Sequence, residues 1–170
     1  MGDLRLRPLR TDDEAAAVQA HRELEADGFE FLLGWTPERP WADLLAQYDA
    51  ERRGTDLPAG RVPAAFLVAD LGGEVVGRLS IRFELNDWLL AYGGHVGYGV
   101  RPAYRRRGIA TELLRQALVI ARAGGVDRVL VTCDDDNQAS AATIERCGGV
   151  LEDVVEQPGE PVAKRRYWID

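Results

Sequence analysis

The sequence predicts an α/β domain (α+β in its mixed strand pairing) in which one mixed β-sheet carries helices on both faces. Three observations lead to this prediction. Successive segments repeat their apolar residues with a period of about 2 or about 3.6, which gives the order β-α-α-β-β-β-α-β-α-β-β. The first half contains a hairpin signal, Leu71-Gly72-Gly73, between two strands. The second half alternates strands and helices, which is typical of βαβ pairing.

The predicted elements follow from local patterns along the chain. The predicted strands are residues 4–9, 64–70, 74–84, 93–101, 126–133, 150–156 and 165–169. The predicted helices are residues 11–26, 37–53, 108–123 and 138–147. Polar and acidic residues at 11–13 are typical of a helix start, and Gly148-Gly149 is typical of a helix end. The apolar run 126–133 is of the kind that parallel pairing buries on both faces.

Composition limits the classes of protein to which the chain could belong. Its 170 residues are 46% hydrophobic and 29% charged, which is ordinary for a globular protein, so we expect residues 1–170 to form a single domain. The net charge of −7 argues against nucleic-acid binding, which needs a basic face. Two cysteines, Cys133 and Cys147, are expected as reduced thiols of a cytoplasmic protein. No secretory or membrane-spanning segment is recognisable, so no membrane partner is expected.

A basic loop between the fourth strand and the third helix predicts an anion-binding site. Its residues are Arg105, Arg106, Arg107, Gly108, Ile109, Ala110 and Thr111. Backbone N–H groups in the first turn of a helix lack intrahelical acceptors and lie at the positive end of the helix dipole, so they bind anions. Gly108 would let the backbone approach the anion closely, and the arginines add planar charged donors that suit phosphate. The loop is therefore interpreted as a pyrophosphate cradle.

Two common phosphate-binding motifs are absent from the sequence. A P-loop needs Gly-x-x-x-x-Gly-Lys-Ser/Thr, but the only lysine is Lys164. A dinucleotide fingerprint needs Gly-x-Gly-x-x-Gly, and Gly97-Tyr98-Gly99 lacks the third glycine. What remains is Arg-x-x-Gly-x-Ala at 105–110, preceded by Val100-Arg101-Pro102. This segment closely resembles motif A of the GCN5-related N-acetyltransferases, the GNAT family, which implies acetyl-coenzyme A (acetyl-CoA) as the ligand.

The predicted order of elements is also similar to that of the GNAT family, so the resemblance covers essentially the whole chain. It implies a mostly antiparallel sheet of six to seven strands in which strands four and five splay apart. The pantetheine arm of acetyl-CoA would lie in that opening and pair with backbone groups around Gly99 and Val100. The glycine-rich run 93–99 favours close approach of a ligand, although a bulge or a tight packing point also explains such glycines.

A second segment, residues 137–148, resembles motif B of the family. The matching residues are Asn137, Ser140, Glu145 and Gly148, with Arg146 in place of lysine. The family's usual tyrosine, which protonates the leaving thiolate, falls on Ile144, so that acid is absent. The resemblance to branches that acetylate protein N-termini implies that Ser140 hydrogen-bonds the thiolate and that Asn137 holds a pantetheine carbonyl or a water. Helix capping explains Asn137 and Ser140 as well.

Acetyl transfer needs a neutral amine, and two side chains are candidates for the general base. Deprotonating a lysine-type amine at pH 7 costs about 4–5 kcal/mol, whereas an α-amino group costs about 1 kcal/mol. His95 lies on the fourth strand and titrates near neutrality, and Glu84 ends the third strand beside the expected acceptor pocket. A packed histidine and an exposed glutamate are the ordinary explanations for these two residues. Helix capping explains the acidic run 134–136, so no metal is expected.

The sequence therefore predicts an acetyl-CoA-dependent N-acetyltransferase, in which a primary amine attacks directly in a ternary complex. Two alternatives stay open. One is a catalytically degenerate acyl-CoA-binding regulatory domain, which the missing tyrosine favours, and the other is a module that binds a different nucleotide. The acceptor is not encoded in a recognisable motif, so peptide N-termini, polyamines, aminoglycosides and small amino metabolites all fit. Homodimers are common in the family that the chain resembles, although the sequence shows no interface.

Overall fold

The computed structural model describes residues 4–170, so the first three residues of the expected 1–170 domain lie outside the described residues. One seven-stranded sheet has the order β1-β2-β3-β4-β5-β7-β6. The strands are β1 (Leu4–Arg7), β2 (Ala64–Leu71), β3 (Glu74–Arg82), β4 (Val96–Val100), β5 (Val129–Asp134), β6 (Val150–Val155) and β7 (Lys164–Ile169). Only β4 and β5 run parallel, and they pair at one position, Val96 with Val131. The mixed, mostly antiparallel sheet with splayed strands four and five is therefore confirmed.

Four α-helices cover the two faces of this sheet in the described part of the chain. They are α1 (Glu14–Glu25), α2 (Trp41–Arg53), α3 (Ile109–Ala123) and α4 (Gln138–Arg146). α1 and α2 bury apolar residues such as Leu24 and Leu44 against β2 on one face. α3 and α4 bury Leu114 and Ile144 against β3, β5 and β7 on the other face. Each helix buries one apolar stripe, so the sheet supplies a partner surface to both pairs.

Most predicted elements are present, and the largest difference lies just before β4. The sequence predicts a strand over 93–101, whereas β4 begins at Val96 and a π-helical turn spans Leu89–Gly93. The Asn86 side chain accepts the Leu89 N–H at 2.8 Å, which starts this turn. Gly94 ends it with a positive φ of 65°, a conformation that glycine adopts without strain. The predicted third strand also ends earlier, at Arg82, which leaves Glu84 in an exposed bend.

Candidate active site

A cleft of about 610 Å³ opens where β4 and β5 diverge. Its walls come from β4, the first turn of α3, one side of α4 and the loop that follows α1. Arg101 N–H donates to the Val76 carbonyl at 2.9 Å, so the odd-numbered residues of β4 turn their backbone groups towards β3. Tyr98 and Val100 consequently turn theirs towards the cleft. The sequence predicts an open strand edge around Gly99 and Val100. In the structure, the residues whose backbone groups face the cleft are Tyr98 and Val100.

The first turn of α3 exposes a row of unused backbone donors to this cleft. Glu112 is the first residue of the helix whose N–H reaches a backbone carbonyl, that of Gly108 at 3.1 Å. The amide N–H groups of residues 106–111 have no acceptor within the described chain. Arg106 and Gly108 both have positive φ, of 61° and 78°, which turns successive N–H groups in one direction. Such a concave set of amides at a helix N-terminus is an anion-binding geometry.

The three arginines of the loop have different surroundings. Arg105 is tied down, because its Nε donates to the Val100 carbonyl at 3.0 Å and its guanidinium pairs with Asp27 at 2.6 Å. Arg106 lines the cleft. Arg107 lies over the Tyr104 ring, 5.5 Å from its centroid, and does not line the cleft. All other predicted cofactor-binding residues line it: Gly99, Val100, Arg105, Arg106, Gly108, Ile109, Ala110, Thr111, Asn137 and Ser140.

A pair of hydroxyl groups lies at the inner end of the cleft. The Tyr98 hydroxyl and Ser140 Oγ are 2.9 Å apart, which joins β4 to α4 across the opening. Burial raises the pKa of Tyr98 to about 12, so the phenol stays protonated at neutral pH. Burial also raises the pKa of the nearby Cys133 thiol to about 11. The pair can therefore donate a proton but carries no charge before the reaction.

α4 is oriented by its own cap. Asn137 Oδ1 accepts the Ser140 N–H at 3.0 Å, so Asn137 is the N-cap that the sequence allows. This leaves the Asn137 side-chain N–H₂ group beside the cleft. Ile144 is fully buried in the core and points away from the opening. A Cβ on Gly149 would lie 2.4 Å from Ile144 Cγ2, so this position has no room for a side chain.

The two predicted general bases are not brought to the cleft. His95 is 7% exposed and its Nδ1 accepts the Leu130 N–H at 2.9 Å. Burial lowers its pKa, and the charge of Arg82 acts in the same direction. Glu84 is exposed in the bend after β3 and does not line the cleft. The geometry of His95 and Glu84 is thus that of a packed histidine and a surface carboxylate.

A second cavity, of about 240 Å³, lies on the α2 side of the sheet near the same part of β4. Ser80 and Arg82 of β3 line it, together with residues of α2 and of the loop before β2. Ser80 pairs with Gly97 in the β3–β4 register, so the cavity and the glycines of β4 share one face. Because Gly97 and Gly99 have no side chains, they leave space next to this face of β4. A side chain at Gly99 would collide with Phe29, at 2.4 Å from its ring.

This face also carries a buried arginine that was not predicted from the sequence. Arg78 is 4% exposed and donates to Ser80 Oγ at 2.8 Å, to the Gly97 carbonyl at 3.2 Å and to the Glu30 carbonyl at 2.9 Å. Its Nε has no partner within residues 4–170. Burial lowers the pKa of this guanidinium. The available signal was a charged residue between Gly77 and Leu79, in the middle of β3.

The acidic run after β5 is used by the fold. Asp134 forms an ion pair with Lys164, and Asp135 pairs with Arg165 at 2.6 Å. Across residues 4–170, no cluster of three His, Cys, Asp or Glu side chains has the arrangement of a metal site. Within the same range, no helix has the length and hydropathy to span a membrane.

Known proteins share the family signature and the fold of this chain. The model of the acetyltransferase (GNAT) family matches residues 19–149. An acetyltransferase, SG1711, of Sodalis glossinidius (strain morsitans) is 32% identical over 121 residues, which span 69% of this chain and 74% of that protein. RimJ of Mycobacterium smegmatis, solved with a CoA disulfide, superposes with a TM-score of 0.74 at 22% identity, covering 99% of this chain and 82% of that one.

A second solved structure has the same fold. The acetyltransferase yncA of Salmonella typhimurium, solved with acetyl-CoA, superposes with a TM-score of 0.66 at 17% identity. The alignment covers 98% of this chain and 92% of that one. At 17% identity, this similarity shows a shared fold.

Proposed function

Because this chain belongs to the GNAT family of acetyltransferases, we propose that it transfers the acetyl group of acetyl-CoA to a primary amine by direct attack in a ternary complex. The supporting observation is the row of unused amides at residues 106–111, which faces the cleft between β4 and β5. A pyrophosphate fits this site because the amides and Arg106 supply donors and positive potential, while Gly108 leaves the approach open. A cytoplasmic location and a homodimer stay predictions from the sequence.

The remaining cleft residues hold the other parts of the ligand. The backbone groups of Tyr98 and the Val100 N–H face the opening and bind the pantetheine amides as a neighbouring strand would, while the Val100 carbonyl accepts from Arg105 Nε. The Asn137 side-chain N–H₂ group donates to a pantetheine carbonyl or to a water. Acetyl-CoA, when bound, supplies the thioester whose acetyl group is transferred.

Ser140 and Tyr98 supply the proton for the departing sulfur. Ser140 Oγ–H donates to this sulfur as the carbon–sulfur bond breaks, and the Tyr98 hydroxyl, 2.9 Å from Ser140 Oγ, returns a proton to the serine. The Tyr98 phenol suits this role because its high pKa keeps it protonated until the negative charge develops. Ser140 and Tyr98 together take the role of the tyrosine that the family usually has at the position of Ile144. Their presence supports an active enzyme over a degenerate acyl-CoA-binding domain.

The amine itself loses its proton to water. Neither His95 nor Glu84 lines the cleft between β4 and β5 or the cavity on the α2 side, so direct proton transfer to either side chain has no geometric support. Water is a sufficient base for an amine of low pKa, because an α-amino group costs only about 1 kcal/mol to deprotonate at pH 7. This proposal therefore favours α-amino groups over lysine-type amines.

Calorimetric titrations with acetyl-CoA, ATP and NAD test which of these molecules the protein binds. Gly108→Asp places a carboxylate in the cradle, and Gly72→Asp is the matched control. Both glycines have positive φ and open space around the added Cβ, but Gly72 lies in the β2–β3 hairpin. We expect acetyl-CoA binding in the wild type and in Gly72→Asp and its loss in Gly108→Asp. Equal binding of ATP would contradict the proposal, and acetyl-CoA binding without thiol release across an amine panel would favour the degenerate domain.

A further inference from the structure

The second cavity differs from the cleft in charge and in size. It is lined by two arginines, Arg61 and Arg82, and by one carboxylate, Glu51. Its volume of about 240 Å³ lies below the ~300–1,000 Å³ of pockets that hold drug-sized ligands. The cavity thus fits a small molecule, or the end of a larger one, and its charged groups carry a net positive charge.

Arg82 lines the cavity and also lies close to β4. Its guanidinium lies 3.5 Å from the position that a Cβ on Gly97 would occupy, so it stands beside the strand that borders the acetyl-CoA cleft. Its guanidinium makes no hydrogen bond or ion pair with any of residues 4–170, although its backbone N–H donates to the His95 carbonyl at 2.7 Å. Burial lowers the pKa of Arg82, and the charge of Arg61 acts in the same direction, whereas Glu51 opposes both. A half-buried arginine without a partner is costly unless an anion binds to it.

The carboxylate of the cavity is already engaged by Gln47 and by Arg61. Glu51 is 6% exposed, accepts a hydrogen bond from Gln47 Nε2 at 2.8 Å, and lies 3.7 Å from the Arg61 guanidinium. Asn86 is also occupied, because its amide donates to the Gly60 carbonyl and its oxygen accepts the Leu89 N–H. Arg78, on the same face of the sheet, adds a further positive charge without a carboxylate partner. The two arginines that line the cavity therefore outnumber its one carboxylate.

We propose that this cavity binds the acceptor and that the acceptor is a small primary amine carrying an anionic group, such as a carboxylate, held by Arg82 and Arg61. This inference rests on the proposed acetyl transfer, because it names the acceptor of that reaction. With its anion on Arg82, the acceptor lies beside Gly97 and places its amine near the inner end of the cleft. Arginine binds planar carboxylates with two parallel hydrogen bonds, which also orients the molecule.

This assignment narrows the classes of acceptor that the sequence leaves open. Polyamines and aminoglycosides carry several positive charges, which Arg61, Arg78 and Arg82 repel. Amino acids and related metabolites carry an anionic group, which these arginines attract. The same arginines also favour the neutral form of the acceptor's amine, because a nearby cation lowers the pKa of an ammonium group. The cavity thus assists the deprotonation for which no side-chain base is present.

Matched amines test the preference for an anion. The wild type is assayed for thiol release from acetyl-CoA with free α-amino acids, with the carboxamides of the same amino acids, and with spermidine. We expect turnover of free amino acids and at least about 30-fold lower kcat/KM for the carboxamides. A carboxamide lacks the negative charge that pairs with the arginines, and the loss of one partner of a desolvated charge pair has an effect of this size. Arg82→Gln is expected to remove the difference. Arg53→Gln, on the exposed side of α2, is the matched control and is expected to keep it.

A binding measurement makes the test independent of turnover. N-acetyl amino acids and their amides are titrated in the presence of CoA, with the fluorescence of Trp88, which lines the cavity, as the readout. We expect binding of the acids in the wild type and at least about 30-fold weaker binding in Arg82→Gln. Equal affinity for acids and amides, turnover of spermidine in preference to amino acids, or absence of any carboxylate-dependent signal would overturn this inference. Failure of acetyl-CoA itself to bind would instead overturn the proposed function.

Discussion

Ala110→Pro isolates the contribution of one backbone N–H group to binding of acetyl-CoA. Ala110 is the second residue of α3, and its N–H has no acceptor within residues 4–170. Proline is tolerated in the first turn of a helix, because the missing N–H has no intrahelical partner there. We therefore expect the free energy of unfolding to fall by no more than about 1 kcal/mol. A hydrogen bond to a charged group contributes about 1.5–3 kcal/mol, so acetyl-CoA should bind about 10- to 150-fold more weakly.

Calorimetry measures this affinity, and urea unfolding measures the stability of the same samples. Ala110→Ser keeps the N–H and should bind acetyl-CoA within about 3-fold of the wild type, since a small side chain leaves the amide in place. Unchanged affinity in Ala110→Pro would refute binding of the pyrophosphate by this turn. A loss of about 3 kcal/mol of stability would show that the amide has an acceptor within the folded protein.

Three further predictions follow from individual contacts. Ser140→Ala and Tyr98→Phe should each lower kcat at least about 10-fold, with little change in KM for acetyl-CoA. The double variant should lose no more kcat than the worse single variant, because the two hydroxyls act in one proton transfer. Additive losses of kcat would contradict this shared role. Asp13→Asn should destabilise the protein by about 1–3 kcal/mol at neutral pH, because the hydrogen bond from Arg7 lowers the pKa of Asp13 below its usual 3.8. This stability is present above that pH and is lost as the pH falls through the lowered pKa, so urea unfolding should show the difference between wild type and variant shrinking below about pH 4. Gly77→Ala should cost at least about 2 kcal/mol in the same measurement, because its Cβ would lie 2.6 Å from a backbone carbonyl of β4; an unaffected variant would contradict that close approach.

The cradle could be predicted from sequence because all of its parts lie within seven consecutive residues. Its donors belong to the backbone, and the helix that follows fixes their direction. The side-chain roles within the same segment were less predictable. Arg107 lies over Tyr104 instead of lining the cleft, and Arg105 is held by Asp27, a residue 78 positions earlier in the chain. These outcomes depend on which distant groups pack against the loop.

The fold was also largely predictable, and its one sizeable difference has a local cause. The alternation of hairpins and βαβ units led to the correct sheet and to helices on both faces. The run 93–99 was expected to be part of a strand, but the turn that begins near Asn86 extends to Gly93. A side-chain hydrogen bond that starts such a turn competes with strand pairing.

The sequence by itself determined the order of the elements, the family and the turn with unused amides at the start of α3, because each of these follows from residues that are neighbours along the chain. Only the tertiary structure decided which side chains meet. It placed Tyr98 against Ser140, 42 residues later. It buried His95 against Leu130 and left Arg82 beside a cavity without a partner. The physical reason is that burial and hydrogen-bond partners, which determine pKa values and reactivity, depend on distances between residues far apart in sequence.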